Sequence, residues 1–300
     1  KRLAEKVSSV FNEIFQMSKY LEDDVIPDLA DDLMVTATTI KPLLGINLNM
    51  VSNGFANVMH NAIAQMLLAL KVKPAVEEAI KDLQAGKKVV LTVANTMGSL
   101  IAEYAEANNL QPGDAVEINF GTVLRRYLEK SRTVSIGEPY KEHITIKIED
   151  YQMTDKGMRL YEKALKSIQE FDWSELPGSP IDWMNAELDK AGYTVGEITG
   201  RSEAMMYNPD GSAIYRRRPQ SEVSIKGRNE TIKGFNSGNI DVIILNQAGA
   251  TGLSLHASQE FADQKQRVMI LVQPEANIDT HMQMLGRVNR TGQVIVPWYK

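Results

Sequence analysis

Asp241-Val242-Ile243-Ile244-Leu245-Asn246-Gln247-Ala248-Gly249-Ala250-Thr251-Gly252-Leu253-Ser254-Leu255-His256 is the stretch whose reading decides the fold. Its first five residues read as a strand, and after Asp241 the run Val242–Leu245 is short and unbrokenly apolar, as expected of a strand buried on both faces. The chain then enters a loop carrying two glycines and two hydroxyls. Beyond the carboxyl end of a parallel strand, such a loop can bring backbone N–H groups close to a phosphate. Read locally, it serves equally well as a tight strand-to-helix turn.

Working outward, strands are predicted at Val89–Val93, Tyr193–Ile198 and Gln266–Val272. Between them helices are predicted at Met97–Ala107, Pro180–Ala191, Gly227–Phe235 and Ile278–Leu285. Alternation of this kind implies a parallel sheet with helices on both faces. It is interrupted between residues 110 and 178, where only a strand at His143–Ile148 and a helix at Thr154–Phe171, capped by Thr154, stand out. Apolar stripes at helical spacing run from Leu3 to Leu21 and from Phe55 to Leu70. Pro74 reads as the first turn of a further short helix ending at Gly86. The expected organisation is a helical segment over 1–75, then an α/β lobe over 76–300 with an insertion at about 110–178.

Some forty residues after the glycine loop comes Gln283-Met284-Leu285-Gly286-Arg287-Val288-Asn289-Arg290-Thr291-Gly292-Gln293. Arg287 and Arg290, three apart at the end of a helix, can project from one side. Paired guanidinium groups suit the charge on a transferring phosphoryl group. An exposed basic helix end, favoured by the macrodipole, is the plainer reading of the same residues.

The two segments in this order resemble motifs V and VI of superfamily 2 helicases of the Swi/Snf-like branch. Ala248–Leu255 is similar to the glycine-rich motif V, and Gln283–Gln293 keeps the Q-x-x-G-R-x-x-R core of motif VI. Lys71–Ala79, Leu83–Val90, Pro180-Ile181-Asp182, Glu197-Ile198-Thr199-Gly200-Arg201 and Gln264–Val268 resemble the C-terminal helicase domain of strawberry notch-type proteins. The resemblance covers about 71–296, with a poor match over 110–178.

What the resemblance implies is the second RecA-like lobe of an ATP-dependent helicase or translocase. Arg290 would then be the arginine finger, Arg287 would assist at the phosphates, and Gln283 would order nucleotide or water. Gly249, Thr251 and Gly252 would form the phosphate loop, and Gly286 would let the helix end pack tightly. Thr96, Thr199, Gly200, Arg201 and Ser254 would grip a nucleic-acid backbone, DNA in preference to RNA. ATP and Mg²⁺ would be bound mainly by a first RecA-like lobe upstream in the same polypeptide. No GxxxxGK followed by Ser or Thr occurs here, and no DEAH or DEAD box; Ala85-Gly86-Lys87-Lys88 precedes its strand, whereas a P-loop follows one. Thr36-Ala37-Thr38 resembles motif III at the end of such a first lobe. The chain accordingly reads as an excised piece, inactive alone. Two other readings remain: a catalytically silent RecA-like interaction platform, and a Rossmann-like transferase, which the motif order disfavours.

Composition bounds the rest. With 300 residues, 43% hydrophobic, the chain suits one large or two ordinary globular domains. A net charge of −5 speaks against bulk attraction to nucleic acid, though a motor lobe needs only a narrow basic strip. The run Arg216-Arg217-Arg218 reads more readily as a solvated loop than as a binding patch. Cysteine is absent, which fits a reducing compartment. The expected location is intracellular: cytoplasmic in a bacterium or phage, nuclear in a eukaryote. No apolar run approaches a membrane span. His60, His143, His256 and His281 show no metal-ligand spacing, and Trp173, Trp183 and Trp298 read as packing residues.

Overall fold

The computed structural model describes residues 2–28, 51–52, 55–136, 144–250, 252–275 and 277–300. In chain order its elements begin with α1 (Arg2–Tyr20), β1 (Val51–Ser52), α2 (Phe55–Gln84), β2 (Lys88–Thr92) and α3 (Gly98–Ala107). They continue with α4 (Phe120–Ser131), β3 (Thr133–Ile136), β4 (Ile144–Lys147), α5 (Asp155–Glu170), α6 (Pro180–Lys190), β5 (Val195–Ile198), β6 (Glu203–Tyr207) and β7 (Ala213–Arg217). Last come α7 (Gln220–Val223), α8 (Ile225–Ser237), β8 (Val242–Leu245), α9 (Gln247–Ala250), β9 (Arg267–Leu271), α10 (Ile278–Leu285) and β10 (Trp298–Tyr299). Two compact units result, one from 1–64 with 119–175, the other from 65–118 with 176–300.

The second unit is an α/β RecA-like fold. Its sheet runs β10-β9-β2-β8-β5, and every pairing in it is parallel. Side chains alternate across each strand, so each face builds its own core. On one face Val89, Leu91, Val242, Ile244, Val268 and Ile270 pack against α2 (Leu68, Val72, Val76, Leu83) and α6 (Ile181, Met184, Leu188). On the other, Val90, Ile243, Leu245 and Met269 meet Phe235 of α8, Leu253 and Leu255 of the loop after β8, and Met284 and Val288. The connection leaving β2 therefore crosses one face, and those leaving β5, β8 and β9 cross the other. The sheet switches direction on both sides of β2, where α/β folds collect ligands beyond their strand ends.

Two expectations change in this unit. Pro74 does not open a helix; it lies inside α2, on the exposed side. Its missing N–H costs one helical bond, and the apolar stripe buried on either side of it carries the helix through. Arg216-Arg217-Arg218 is not a loop: Arg216 and Arg217 lie in β7, which pairs with β6 as an antiparallel hairpin. Asn208–Ser212 turns that hairpin with Gly211 at φ +87°, a conformation glycine adopts without strain. Gly86 does end its helix as expected, in the left-handed region at φ +76°.

The first unit holds the residues that break the alternation, 119–175, together with the N-terminal helix, where a simple insertion over 110–178 was expected. Its strands form an antiparallel sheet, β1-β3-β4. Helices α1 and α5 meet where Gly157 lies against Tyr20; a Cβ at Gly157 would stand 2.3 Å from that ring. Thr154 begins α5, yet its side chain makes no cap bond. Its hydroxyl instead pairs with the Tyr20 hydroxyl at 3.0 Å. Trp173 packs between Phe120 and Phe171 and donates its indole N–H to the Ile168 carbonyl at 2.7 Å. Thr36-Ala37-Thr38 and His143 lie outside the described residues. Among the described residues no helix is long and apolar enough to cross a membrane.

Candidate functional site

Strand β8 delivers the chain to the carboxyl edge of the sheet, where α9 turns it sharply. The Asn246 side chain accepts a hydrogen bond from the Gly249 N–H at 2.9 Å and pins the turn. A Cβ at Gly249 would stand 2.0 Å from the carbonyl oxygen of Ile198, so only glycine lets the loop lie against the end of β5. Gly252 sits at φ +78° with open space around it, so its conformation is what asks for glycine. Thr251 lies outside the described residues. Ser254 follows as a junction. Its hydroxyl accepts from Arg290 Nη1 at 3.2 Å, and its carbonyl accepts from Asn236 Nδ2 at 3.0 Å.

Helix α10 keeps the bounds its sequence predicts, capped by Asn277, whose side chain accepts from the Thr280 N–H at 3.0 Å. The chain beyond it returns to the glycine loop: the Leu255 N–H donates to the Arg287 carbonyl at 2.9 Å, and Gln247 Nε2 donates to Thr280 Oγ1 at 3.1 Å. Arg290 is fixed at both ends of its guanidinium, by Ser254 and by the Gly286 carbonyl, to which Nε donates at 3.2 Å. Arg287 is different. Its Nε is buried and unpartnered, and burial, then the positive charge of Arg290, lowers its pKa. Gln283 is exposed on α10. Gly286 corrects one expectation: its φ is −65°, and a Cβ there would meet only carbonyl oxygens at 3.5 Å and beyond, so no tight packing within the lobe requires it.

The residues expected to grip nucleic acid divide. Gly200 is exposed and Thr96 half-buried. Arg201 is not available at the surface. Its guanidinium is buried, paired to both oxygens of Asp182 at 2.6 and 2.8 Å and to Glu197 at 2.7 and 2.8 Å. Thr199 is buried too, its hydroxyl donating to Glu197 and accepting from Arg218 Nη1 at 3.3 Å. Arg218 completes the cluster with bonds to Glu197 Oε1 at 3.0 Å and to the carbonyls of Arg201 and Glu197 at 3.0 and 3.1 Å. Burial would raise the Glu197 pKa, but Arg201 and then Arg218 overrule it and hold it at about 2. The third arginine of the basic run is thus an internal counter-ion. Arg216 and Arg217 pair with Glu222 and Glu203.

Sequence reading missed a second ionic cluster under the amino edge of the sheet. Lys88 and Arg267, facing each other on β2 and β9, are both 1% exposed and share Asp263, at 3.8 Å from Lys88 and 2.6 Å from Arg267. The i, i+4 spacing of Asp263 and Arg267 was its only sequence signal. Burial lowers the Lys88 pKa to about 8, with Asp263 opposing. The unfolded chain then binds a proton that the fold has released, between about pH 8 and the ordinary lysine value of 10.5. Stability should therefore rise with pH across that window. The expected result is that wild type gains on Lys88→Met as pH climbs from 8 to 10.5. Urea titrations at both ends measure it; a constant difference would show that Lys88 keeps its ordinary titration.

Comparison with known proteins bears on this geometry. A family profile described as the C-terminal domain on strawberry notch homologues matches residues 181–300. Those residues are similar to a strawberry notch-type helicase C-terminal domain. They lie wholly within the RecA-like unit and contain both the glycine loop and the arginine segment. The chain is similar to protein strawberry notch homolog 1 of Rattus norvegicus, 27% identical over 177 residues, 57% of this chain and 14% of that protein. It is 31% identical to protein strawberry notch of Drosophila melanogaster over 146 residues, 48% of this chain and 9% of that protein. Protein FORGETTER 1 of Arabidopsis thaliana is 30% identical over 146 residues, 47% of this chain and 11% of that protein. The strawberry notch-type match thus spans a small part of each relative's length. No solved structure matches the chain. Among the described residues no group of His, Cys, Asp and Glu could hold a metal ion.

Proposed function

We propose that the unit of 65–118 and 176–300 is the second motor lobe of an ATP-dependent nucleic-acid helicase or translocase. The observation that carries the reading is the knitting of the glycine loop to the arginine segment on one sheet face, with the Arg287 guanidinium next to Arg290 and without a partner among the described residues. A half-buried guanidinium whose Nε is buried and unpaired carries a desolvation cost that an anion would relieve. Residues 249–252 and Arg287 suit a phosphate. Neither a GxxxxGK followed by Ser or Thr nor a DEAH or DEAD box occurs in this sequence, so nucleotide and metal would be held mainly by another lobe. ATP there would supply the phosphoryl group; Arg290 and Arg287 would set positive charge against it, and Gln283 would orient water or nucleotide. Gly200, Thr96 and Ser254 would meet the backbone of nucleic acid, DNA before RNA, with little base selectivity.

One observation favours the silent-platform reading. Arg290 is already bonded to Ser254 and Gly286, a posture that serves structure as well as catalysis. ATPase assays separate the two. The protein carrying its ATP-binding lobe should hydrolyse ATP faster with single-stranded DNA or RNA, while the 300-residue chain alone stays at background. Hydrolysis by the chain alone, or none by the longer protein under any nucleic acid, would contradict the motor reading.

A further inference from the structure

Beside the glycine loop, on the outer surface of the same unit, a groove of about 610 Å³ lies between α8 and residues 252–262. That volume suits a small organic ligand. Ile232, Leu253 and Phe261 give it an apolar wall, and Arg228 and Lys233 stand along α8. Glu260 is the acidic residue on the opposite side.

The groove also holds an unmet polar group. Asn236 lines it and is 6% exposed; its Nδ2 is committed to the Ser254 carbonyl, and its Oδ1 is buried with no hydrogen bond. Leaving an acceptor in that state is unfavourable, because its lost hydration is not replaced. With Nδ2 held, the amide cannot simply flip to satisfy itself. A ligand N–H that draws the side chain slightly outward meets an acceptor with no bond to lose.

We propose that this groove binds a nucleotide unit. The ring lies against Ile232, Leu253 and Phe261, a ring N–H or amino group donates to Asn236 Oδ1, and the phosphate pairs with Arg228 and Lys233. Each part of the site asks for one part of such a ligand: a flat apolar body, a donor and an anion. Ser254 joins this site to the arginine segment, since its carbonyl holds Asn236 and its hydroxyl holds Arg290. Occupancy of the groove thereby bears on the posture of Arg290. This assignment is independent of the motor reading, because the groove is complete within the chain.

The same chemistry is offered by a free mononucleotide and by an unstacked nucleotide of a single strand. AMP and a short oligodeoxyadenylate are therefore titrated separately into the 300-residue chain, with amide NMR shifts as the readout. Saturable shifts at Lys233, Asn236 and Phe261 are expected, with a dissociation constant below about 1 mM for one of the two probes. A response to AMP alone identifies a free nucleotide as the ligand, and one to the oligomer alone identifies a strand. Lys233→Glu, an exposed change that leaves the core untouched, should weaken binding by about tenfold. Shifts confined to Gln283–Arg290 would report only the motor site and overturn the assignment. So would binding unchanged in Lys233→Glu, or no binding of either probe.

Discussion

Arg201→Ala is expected to destabilise the RecA-like unit by about 3–5 kcal/mol, the range for removing one partner of a buried ion pair. Truncation would leave Asp182 buried and facing empty space, since four of the bonds that neutralise it and Glu197 come from this one guanidinium. Asp182 also accepts from the Ser179 hydroxyl and the Met205 N–H, so its charge cannot move to solvent without unpicking α6 from β6. The loss should be larger than for Arg217→Ala, whose side chain is 68% exposed and whose pairing with Glu203 is a surface contact. Arg201→Lys should recover only part, because an ammonium cannot serve two carboxylates in a fork. Urea unfolding of the variants measures this. A midpoint for Arg201→Ala within error of that for Arg217→Ala would show that the cluster adds nothing to stability.

The site was legible in the sequence to the extent that its signals were local. Val242–Leu245 is a strand because an apolar run of that length fits between covered faces. Ile278–Leu285 is a helix because Asn277 caps it and the chain turns at Gly286. The order of glycine loop and arginine segment carried the rest, and the structure joins them through Ser254, Leu255 and Arg287. What escaped depended on partners distant in sequence. Arg201 meets Asp182 from 19 residues away and Arg218 meets Glu197 from 21 away, so an internal ionic cluster read as a nucleic-acid grip and a solvated loop. The hairpin of β6 and β7 was hidden because its strands carry charge on a partly exposed face, although Pro209-Asp210-Gly211 is a turn signal. Residues 119–175 gave little pattern because they pack with the N-terminal helix, a long-range pairing that periodicity does not reveal.

The second large effect rests on the proposed motor reading and concerns Arg290 in a protein that supplies an ATP-binding lobe. Arg290→Ala should lower kcat by about 10³-fold, the low end for an arginine finger. Apparent affinity for ATP should change little, because such a residue acts on charge that develops in the transition state. Losing the bonds to Ser254 and Gly286 adds a modest structural cost, about 1 kcal/mol for each neutral hydrogen bond. Ser254→Ala removes one of those bonds and leaves the guanidinium, so it separates tether from charge: kcat should fall far less than in Arg290→Ala. Arg290→Lys should restore little, lacking the planar fork. The decisive measurement is steady-state ATPase of the Arg290→Ala protein at saturating nucleic acid, beside wild type. A fall of about three orders of magnitude in kcat with KM for ATP nearly unchanged is the predicted result. Turnover close to wild type would remove Arg290 from the chemistry and contradict its assignment as the arginine finger.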